Sequence, residues 1–262
     1  MTTALADLID ELEGRGRSNF SLEDLRELRK TSLPALRAAL HRLQMKGKIA
    51  SPHRGFFSIV PPGYRMWGCL PAEQFVPDLM GHLKVDHYAG LLSAAEYHGA
   101  AHQRPQVFQV VTARSMRSIM CGKIAVDFVL KKDAKMTPTQ LWTTRSGMLK
   151  ISTPEATALD LVGYVHHCGG LNNVATVLAE LHEVINPSQL VTAAKLVPIA
   201  WAQRVGYIMD MIGAKQKTGD LALYVETKAP VRTPLAPGRS IRGVETNRRW
   251  RLFVNTSVEA DA

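Results

Sequence analysis

The sequence predicts an α+β protein in which a small basic domain precedes a larger mixed one, and three observations carry that prediction. The chain has 262 residues, which suits one small and one larger core. Between Glu27 and Glu73 there is no carboxylate, while Arg29, Lys30, Arg37, Arg42, Lys46, Lys48, Arg54 and Arg65 fall inside the gap. Beyond it, strand-like segments come first and helical ones later, the order expected when helices gather at one side of a small sheet.

In the first part, Leu5, Leu8, Ile9 and Leu12 recur at helical spacing and stop at Gly14-Arg15-Gly16, a good helix exit. Ser21 followed three residues later by Asp24 resembles an N-cap, with Leu22, Leu25 and Leu28 behind it and Phe20 placed as a hydrophobic staple. This second helix ends near Lys30. Thr31 to Pro34 supply a cap hydroxyl and a first-turn proline for a third helix, which runs to Lys46 before Gly47. Leu33, Leu36, Leu40 and Leu43 form its apolar face, and Arg37, His41 and Gln44 point outward. Ile49-Ala50 and Phe56 to Val60 read as short strands joined by a basic loop, Ser51 to Gly55. Three helices with a tight turn before the third, then a basic hairpin, is the order of a winged helix-turn-helix, assigned to residues 1–62.

An even spread of the 23 acids would place about four of them between residues 28 and 72, so the gap reads as one positive surface. The net charge of +9 and pI near 9.6 favour polyanionic partners. Ser32, Ala35 and Arg37 sit at the start of the third helix, where side chains reach base edges of double-stranded DNA, and arginine contacts guanine in a bidentate way. His41, Arg42, Lys46, Lys48, His53 and Arg54 are placed to meet phosphates. The competing reading is a protein-binding winged helix with a solvated basic face.

Pro61-Pro62-Gly63 breaks the hairpin, and the second domain is assigned to residues 63–262. The stretch to Pro77 has no clean period, but Trp67, Leu70, Phe75 and Val76 predict a docked connection rather than a free tether. A helix is predicted over 86–97 and strands over 106–112, 123–130 and 148–152. Four helical patterns follow between Thr153 and Ile212, broken at Gly169-Gly170, Asn186-Pro187 and Pro198. A fifth spans 219–227 and a last strand 250–254.

Four segments carry a family resemblance: Leu92 to Gly99, Gln106 to Thr112, Ser152 to Val162 and Arg249 to Asn255. Together they resemble the AbiEi family, the antitoxins of type IV toxin–antitoxin systems, which pair an N-terminal winged helix with a C-terminal antitoxin domain. The most distinctive piece is Thr153-Pro154-Glu155 with Ala158, Leu159, Asp160 and Leu161. The resemblance implies that the first domain binds inverted repeats in its own promoter and represses its operon. It implies that the second opposes a nucleotidyltransferase-like toxin, AbiEii, without requiring a stable complex, in phage defence. Read on its own chemistry, the motif is a helix start: Thr153 caps, Pro154 opens, and Glu155 lies near the positive end of the dipole. Asp160, between buried-looking leucines, needs a partner such as a basic residue.

Other signals point away from catalysis. Asp127 with Glu226-Thr227-Lys228 only superficially resembles a nuclease set, and adjacent His166 and His167 point in different directions from a helix. No hydrolase triad and no glycine-rich phosphate loop is found. No catalytic residue, cofactor or metal is therefore assigned, and the protein is expected not to be an enzyme. Cys69, Cys121 and Cys168 are too widely spaced for a disulfide framework or a zinc site, so reduced, partly buried thiols are expected. Without a signal segment or an apolar run of membrane length, a cytoplasmic protein is expected.

A second basic surface is assigned to Arg232, Arg239, Arg242, Arg248 and Arg249, within a stretch that also holds Lys228 and Arg251 against Glu245 alone. Its expected partners are DNA flanking the operator, the toxin, or the toxin's RNA substrate; the alternative is a solvated loop. Two other functional readings remain open. One is a stand-alone winged-helix regulator whose second domain binds a ligand or oligomerises, and the other is an RNA-binding or nuclease module.

Overall fold

The computed structural model describes residues 2–28, 32–100 and 105–260 and is an α+β protein with 46% helix and 21% strand. The chain runs α1 (Thr2–Gly14), β1 (Asn19–Ser21), α2 (Leu22–Leu28), α3 (Leu33–Met45), β2 (Ile49–His53), β3 (Phe56–Ile59) and α4 (Ala72–Leu83). It continues through β4 (His87–Ala89), α5 (Leu91–Tyr97), β5 (Val107–Thr112), β6 (Ile119–Cys121), β7 (Ile124–Leu130), β8 (Thr139–Thr144) and β9 (Gly147–Ser152). The last part holds α6 (Pro154–Gly163), α7 (Leu171–Leu181), α8 (Pro187–Ala194), α9 (Ile199–Met211), α10 (Gly219–Lys228), β10 (Thr233–Pro234), β11 (Glu245–Asn247) and β12 (Leu252–Val254). No helix among the described residues is long and apolar enough to cross a membrane.

Two compact units result: Met1–His87 with Gln106–Lys132 and Leu141–Lys150, and Tyr88–Pro105 with Asp133–Gln140 and Ile151–Ala262. The cut at Pro62 expected from sequence does not coincide with this division, and β3 explains why. All four of its residues are buried, so the winged-helix sheet is covered on both faces. On one face Phe57 and Ile59 join Ile9, Leu12, Phe20, Leu25, Leu36, Leu40 and Leu43. On the other, Phe56 and Val60 join Leu70, Phe75, Val76 and Leu79 around α4, with Val110, Val126 and Phe128 from β5 and β7. Polar bonds pin the same seam: Asn19 Nδ2 donates to Gln74 O and Asp78 Oδ2, each at 2.8 Å, and the Ser58 hydroxyl donates to Asn19 Oδ1 at 2.7 Å.

Within the winged helix, Arg17 N–H donates to Leu12 O at 2.9 Å as the chain leaves α1 through Gly16, whose φ of +74° suits glycine. Ser21 and Asp24 form a reciprocal capping box: Asp24 N–H donates to Ser21 Oγ at 3.0 Å, and Ser21 N–H donates to Asp24 Oδ2 at 2.6 Å. Phe20 stacks on Phe57 with centroids 5.5 Å apart. It lies on β1, an unanticipated strand that pairs antiparallel with β3 in the order β1-β3-β2. The side chains of Leu5, Leu8 and Leu28, and the helix end and cap expected at Arg29, Lys30 and Thr31, lie outside the described residues. Ser32 makes no side-chain cap, although its carbonyl accepts Leu36 N–H at 3.0 Å.

The rest of the first unit adds α4 and a sheet in which β5 runs parallel to β7 and β6 antiparallel to it. The segment expected as one helix over 86–97 is strand and then helix, because Gly90 and a positive φ of 55° at Leu91 break the run. Ala89 of β4 pairs in parallel with Ile151 of β9. Helix α6 is buried from Glu155 through Val162, in contact with α5, α7, α8 and α9. The last three strands form a separate small sheet, with β12 parallel to β10 and antiparallel to β11.

Candidate functional site

The third helix divides its residues as its periodicity dictates. Leu36, Ala39, Leu40 and Leu43 are buried, while Ser32, Arg37, Ala38, His41, Arg42, Met45 and Lys46 are exposed and Ala35 and Gln44 are half-buried. At a rise of about 1.5 Å per residue, the positions from Ser32 to Lys46 run roughly 20 Å along one side, long enough to follow a groove. No carboxylate lies in α3, β2 or β3, so nothing in these elements offsets the positive charge.

The wing is shorter and more regular than the expected basic loop. Strand β2 continues through Ser51, Pro52 and His53, which pairs with Phe56, so only Arg54 and Gly55 turn the chain. A bulge between Ala50 and His53 lets Pro52 sit in the strand. Gly55, at φ +79°, supplies the left-handed conformation that the turn needs, and its carbonyl accepts Leu22 N–H at 2.8 Å. Arg54 is exposed at the tip. His53 is half-buried with Nδ1 3.1 Å from Arg54 O, and Lys48 is half-buried at the start of the wing. The structure therefore gathers the predicted residues on two consecutive elements of one unit, with Arg37, His41, Arg42, Lys46 and Arg54 fully presented to solvent.

The second basic stretch splits into two groups. Arg232, Arg239, Arg242 and Arg248 are exposed, with Arg239 Nη1 donating to Thr256 Oγ1 at 2.8 Å. Arg249 is engaged inside its own unit. Its Nη2 donates to Thr218 Oγ1 at 3.0 Å, its Nε stands 3.3 Å from Asp210 Oδ2, and its guanidinium lies over the Trp250 ring at 5.4 Å. Trp250 Nε1 and the Thr218 hydroxyl donate to the same carboxylate at 2.8 and 2.7 Å. Arg251 likewise turns inward and donates to Ala229 O.

The motif from Ser152 to Leu161 is a helix start that is buried rather than displayed. Thr153 Oγ1 accepts Ala156 N–H at 3.3 Å, and Pro154 occupies the first position. Glu155 is turned inward, where Oε1 accepts the Asn186 N–H at 2.9 Å at the start of α8. The carboxylate thus ties two helix N-termini, an arrangement the dipoles of both favour. Ser152 and Thr157 share a hydroxyl hydrogen bond of 2.7 Å.

Asp160 is fully buried, and the phenol of Tyr88 donates to its Oδ2 at 2.6 Å, in turn 3.4 Å from the Thr137 hydroxyl. The partner that the sequence reasoning sought among basic residues includes a tyrosine, 72 residues earlier in the chain. Burial and then the Asp160 charge push Tyr164 and Cys168 up to about 12 each, and burial first raises Tyr88 further. Tyr88 was missed because nothing local marks it: His87-Tyr88-Ala89 is too short a strand to show alternation. His98 Nε2 lies 2.8 Å from Ser152 O, and burial holds its imidazole below the usual range. Among the described residues no three histidine, cysteine or acidic side chains converge as metal ligands.

Residues 88–211 match the AbiEi antitoxin C-terminal domain family. The crystal structure of the RV2827C protein from Mycobacterium tuberculosis is similar to this chain with a TM-score of 0.68 at 15% identity, covering 95% of this chain and 90% of that one. That likeness establishes a common fold. No protein of curated function matches the sequence.

Proposed function

We propose, from the match of residues 88–211 to the AbiEi antitoxin C-terminal domain family, that this protein is a cytoplasmic type IV antitoxin that also represses its own operon in phage defence. The second domain, expected from sequence over 63–262, opposes an AbiEii-like nucleotidyltransferase toxin without a stable complex. The winged helix of residues 1–62 binds inverted repeats in the operator. The observation that carries the DNA-binding part is the exposed, acid-free side of α3 with Arg54 at the wing tip. Ser32, Ala35 and Arg37 then lie toward base edges, while His41, Arg42, Lys46, Lys48, His53 and Arg54 contact phosphates. The antitoxin part rests on the family match over α5 to α9.

The test of the first part is binding of the full-length protein to its own upstream DNA, titrated with salt. Linear loss of log affinity with log salt concentration, together with preference for the upstream sequence, is the expected result. Equal affinity for unrelated DNA at every salt concentration counts against an operator. The exposed arginines Arg232, Arg239, Arg242 and Arg248 extend the proposal to flanking DNA, the toxin or its RNA substrate. Charge reversal at Arg239 and Arg242 that spares both repression and neutralisation would remove that extension.

A further inference from the structure

Two of the three cysteines meet beneath the wing. Trp67-Gly68 lies directly against the turn joining β6 and β7: Lys123 N–H donates to Trp67 O at 2.7 Å, and the backbones of Gly68 and Gly122 touch. A Cβ added at Gly122 would stand 2.1 Å from Trp67 O, and one added at Gly68 would stand 3.1 Å from Gly122 Cα. Gly122 leaves no room for a side chain, and at Gly68 the space is tight and the φ of +74° is strained for any other residue. Cys69 and Cys121 each sit one residue from that contact, both belong to the first unit, and both are free thiols. Residues that flank one backbone contact are candidates for a disulfide, whose two Cα atoms stand roughly 4.4–6.8 Å apart.

The two thiols are also polarised. Interaction with Cys121, and then burial, pushes the Cys69 thiol up. Interaction with Cys69 and with the Ser51 backbone, against the opposing effect of burial, holds the Cys121 thiol below its ordinary value. Cys121 is 8% exposed and Cys69 fully buried, so an oxidant meets the more thiolate-like sulfur first.

We propose that Cys69 and Cys121 are an oxidant-closable dithiol at the base of the wing, joined by a peroxide into an intramolecular disulfide and reopened by thiol reductants. The Cys121 thiolate attacks one peroxide oxygen and breaks the O–O bond, giving a sulfenic acid and hydroxide. The Cys69 sulfur then attacks that sulfenic sulfur, expelling its oxygen as water while the thiol proton is taken up. Two thiols and one hydrogen peroxide thus yield one disulfide and two waters. Closure draws the Cys121 sulfur away from the Ser51 amide on β2, which loosens that strand beside its bulge. The inference does not depend on what the wing contacts.

The experiment is hydrogen peroxide treatment of the full-length protein, followed by alkylation, digestion and mass spectrometry. The expected product is a cross-linked peptide pair carrying Cys69 and Cys121, lighter by two hydrogen atoms than the free peptides and separated again by dithiothreitol. Cys168 stays alkylatable, and amide exchange at Ser51 is faster by roughly three- to tenfold in the oxidised protein. The exposed Met66 and Met120 report that oxidant arrived, through their sulfoxides. If those methionines are oxidised while Cys69 and Cys121 both remain alkylatable, or if Cys121 proceeds to sulfinic acid with Cys69 untouched, the pair is not a dithiol switch. Unchanged Ser51 exchange in the cross-linked protein would overturn its coupling to the wing. In Cys69→Ser the cross-link is lost and Cys121 accumulates sulfenic and sulfinic acid.

Discussion

Gly206 of α9 lies flat against the indole of Trp250, so that a Cβ built on it would stand 2.1 Å from the ring. The indole is fully buried and fixed by its N–H to Asp210, so it has nowhere to move. Gly206→Ala is expected to destabilise the protein by about 3 kcal/mol, and Gly163→Ala, against Trp201, by about 2 kcal/mol, read from urea unfolding midpoints. Wild-type midpoints in both variants would show that the indoles repack freely.

Removal of the phenol at Tyr88 leaves the buried Asp160 carboxylate short of a donor. Tyr88→Phe should cost about 2 kcal/mol. The double variant Tyr88→Phe with Asp160→Asn should lose less than the sum of the two single changes, because both act on one hydrogen bond. Strict additivity would mean that the 2.6 Å contact carries no coupling.

Stability should fall between neutral and mildly acid pH. Burial depresses the folded-state values of His87 and His98, so protonation favours the unfolded chain, in which histidine titrates near about 6.5. Their contribution is complete above that value and is lost as the pH drops toward the folded ones. Chemical denaturation at pH 7.5 and pH 5 should show the decline, and His98→Gln should reduce it. A flat profile in that window would contradict the assigned neutral imidazoles.

The cap of α2 has the opposite chemistry but the same sign. Burial works to raise Asp24, yet the Ser21 amide and hydroxyl and the Arg17 guanidinium outweigh it and hold the carboxyl low. Its stabilisation is present above the unfolded carboxylate value and is lost as the pH falls through the folded one. Ser21→Ala should cost about 1 kcal/mol at neutral pH.

On the proposed DNA face, Arg37 and Lys46 should behave differently. Arg37→Ala is expected to cost about 1–3 kcal/mol on the operator and relax sequence preference. Lys46→Ala should weaken binding to all sequences alike and lower the salt slope by about one. Identical effects of both changes on specificity, measured by fluorescence anisotropy, would remove the distinction between base and phosphate contacts.

Much of this architecture could be read from residue spacing. Leu36, Leu40 and Leu43 placed α3 and its exposed side, Ser21 and Asp24 marked a cap that forms as a full box, and Thr153-Pro154 opened α6. Misses occurred where tertiary contact overrides local pattern. Helix α4 carries Pro77 in its interior and showed no period, and β1 and β4 are three residues each, too short to alternate. The extent of the first unit was hidden for a related reason. Phe56-Phe57-Ser58-Ile59 reads as a short wing strand, whereas all four of its residues are buried, Ser58 included, because both faces are covered. Arg249 counted as surface charge because sequence cannot place Asp210 and Thr218 beside it, and Tyr88 on β4 stayed invisible because its partner Asp160 lies on α6, 72 residues further along.

The most direct measurement is growth of a host expressing any nucleotidyltransferase-like protein found encoded beside this gene, with the full-length chain supplied as wild type or as Arg37→Ala with Arg42→Ala. The account predicts growth arrest without the chain and equal rescue by both forms, since neutralisation is proposed for the domain whose residues 88–211 match the antitoxin family. Absence of rescue by the wild-type protein, despite toxicity of its neighbour, would contradict the antitoxin assignment.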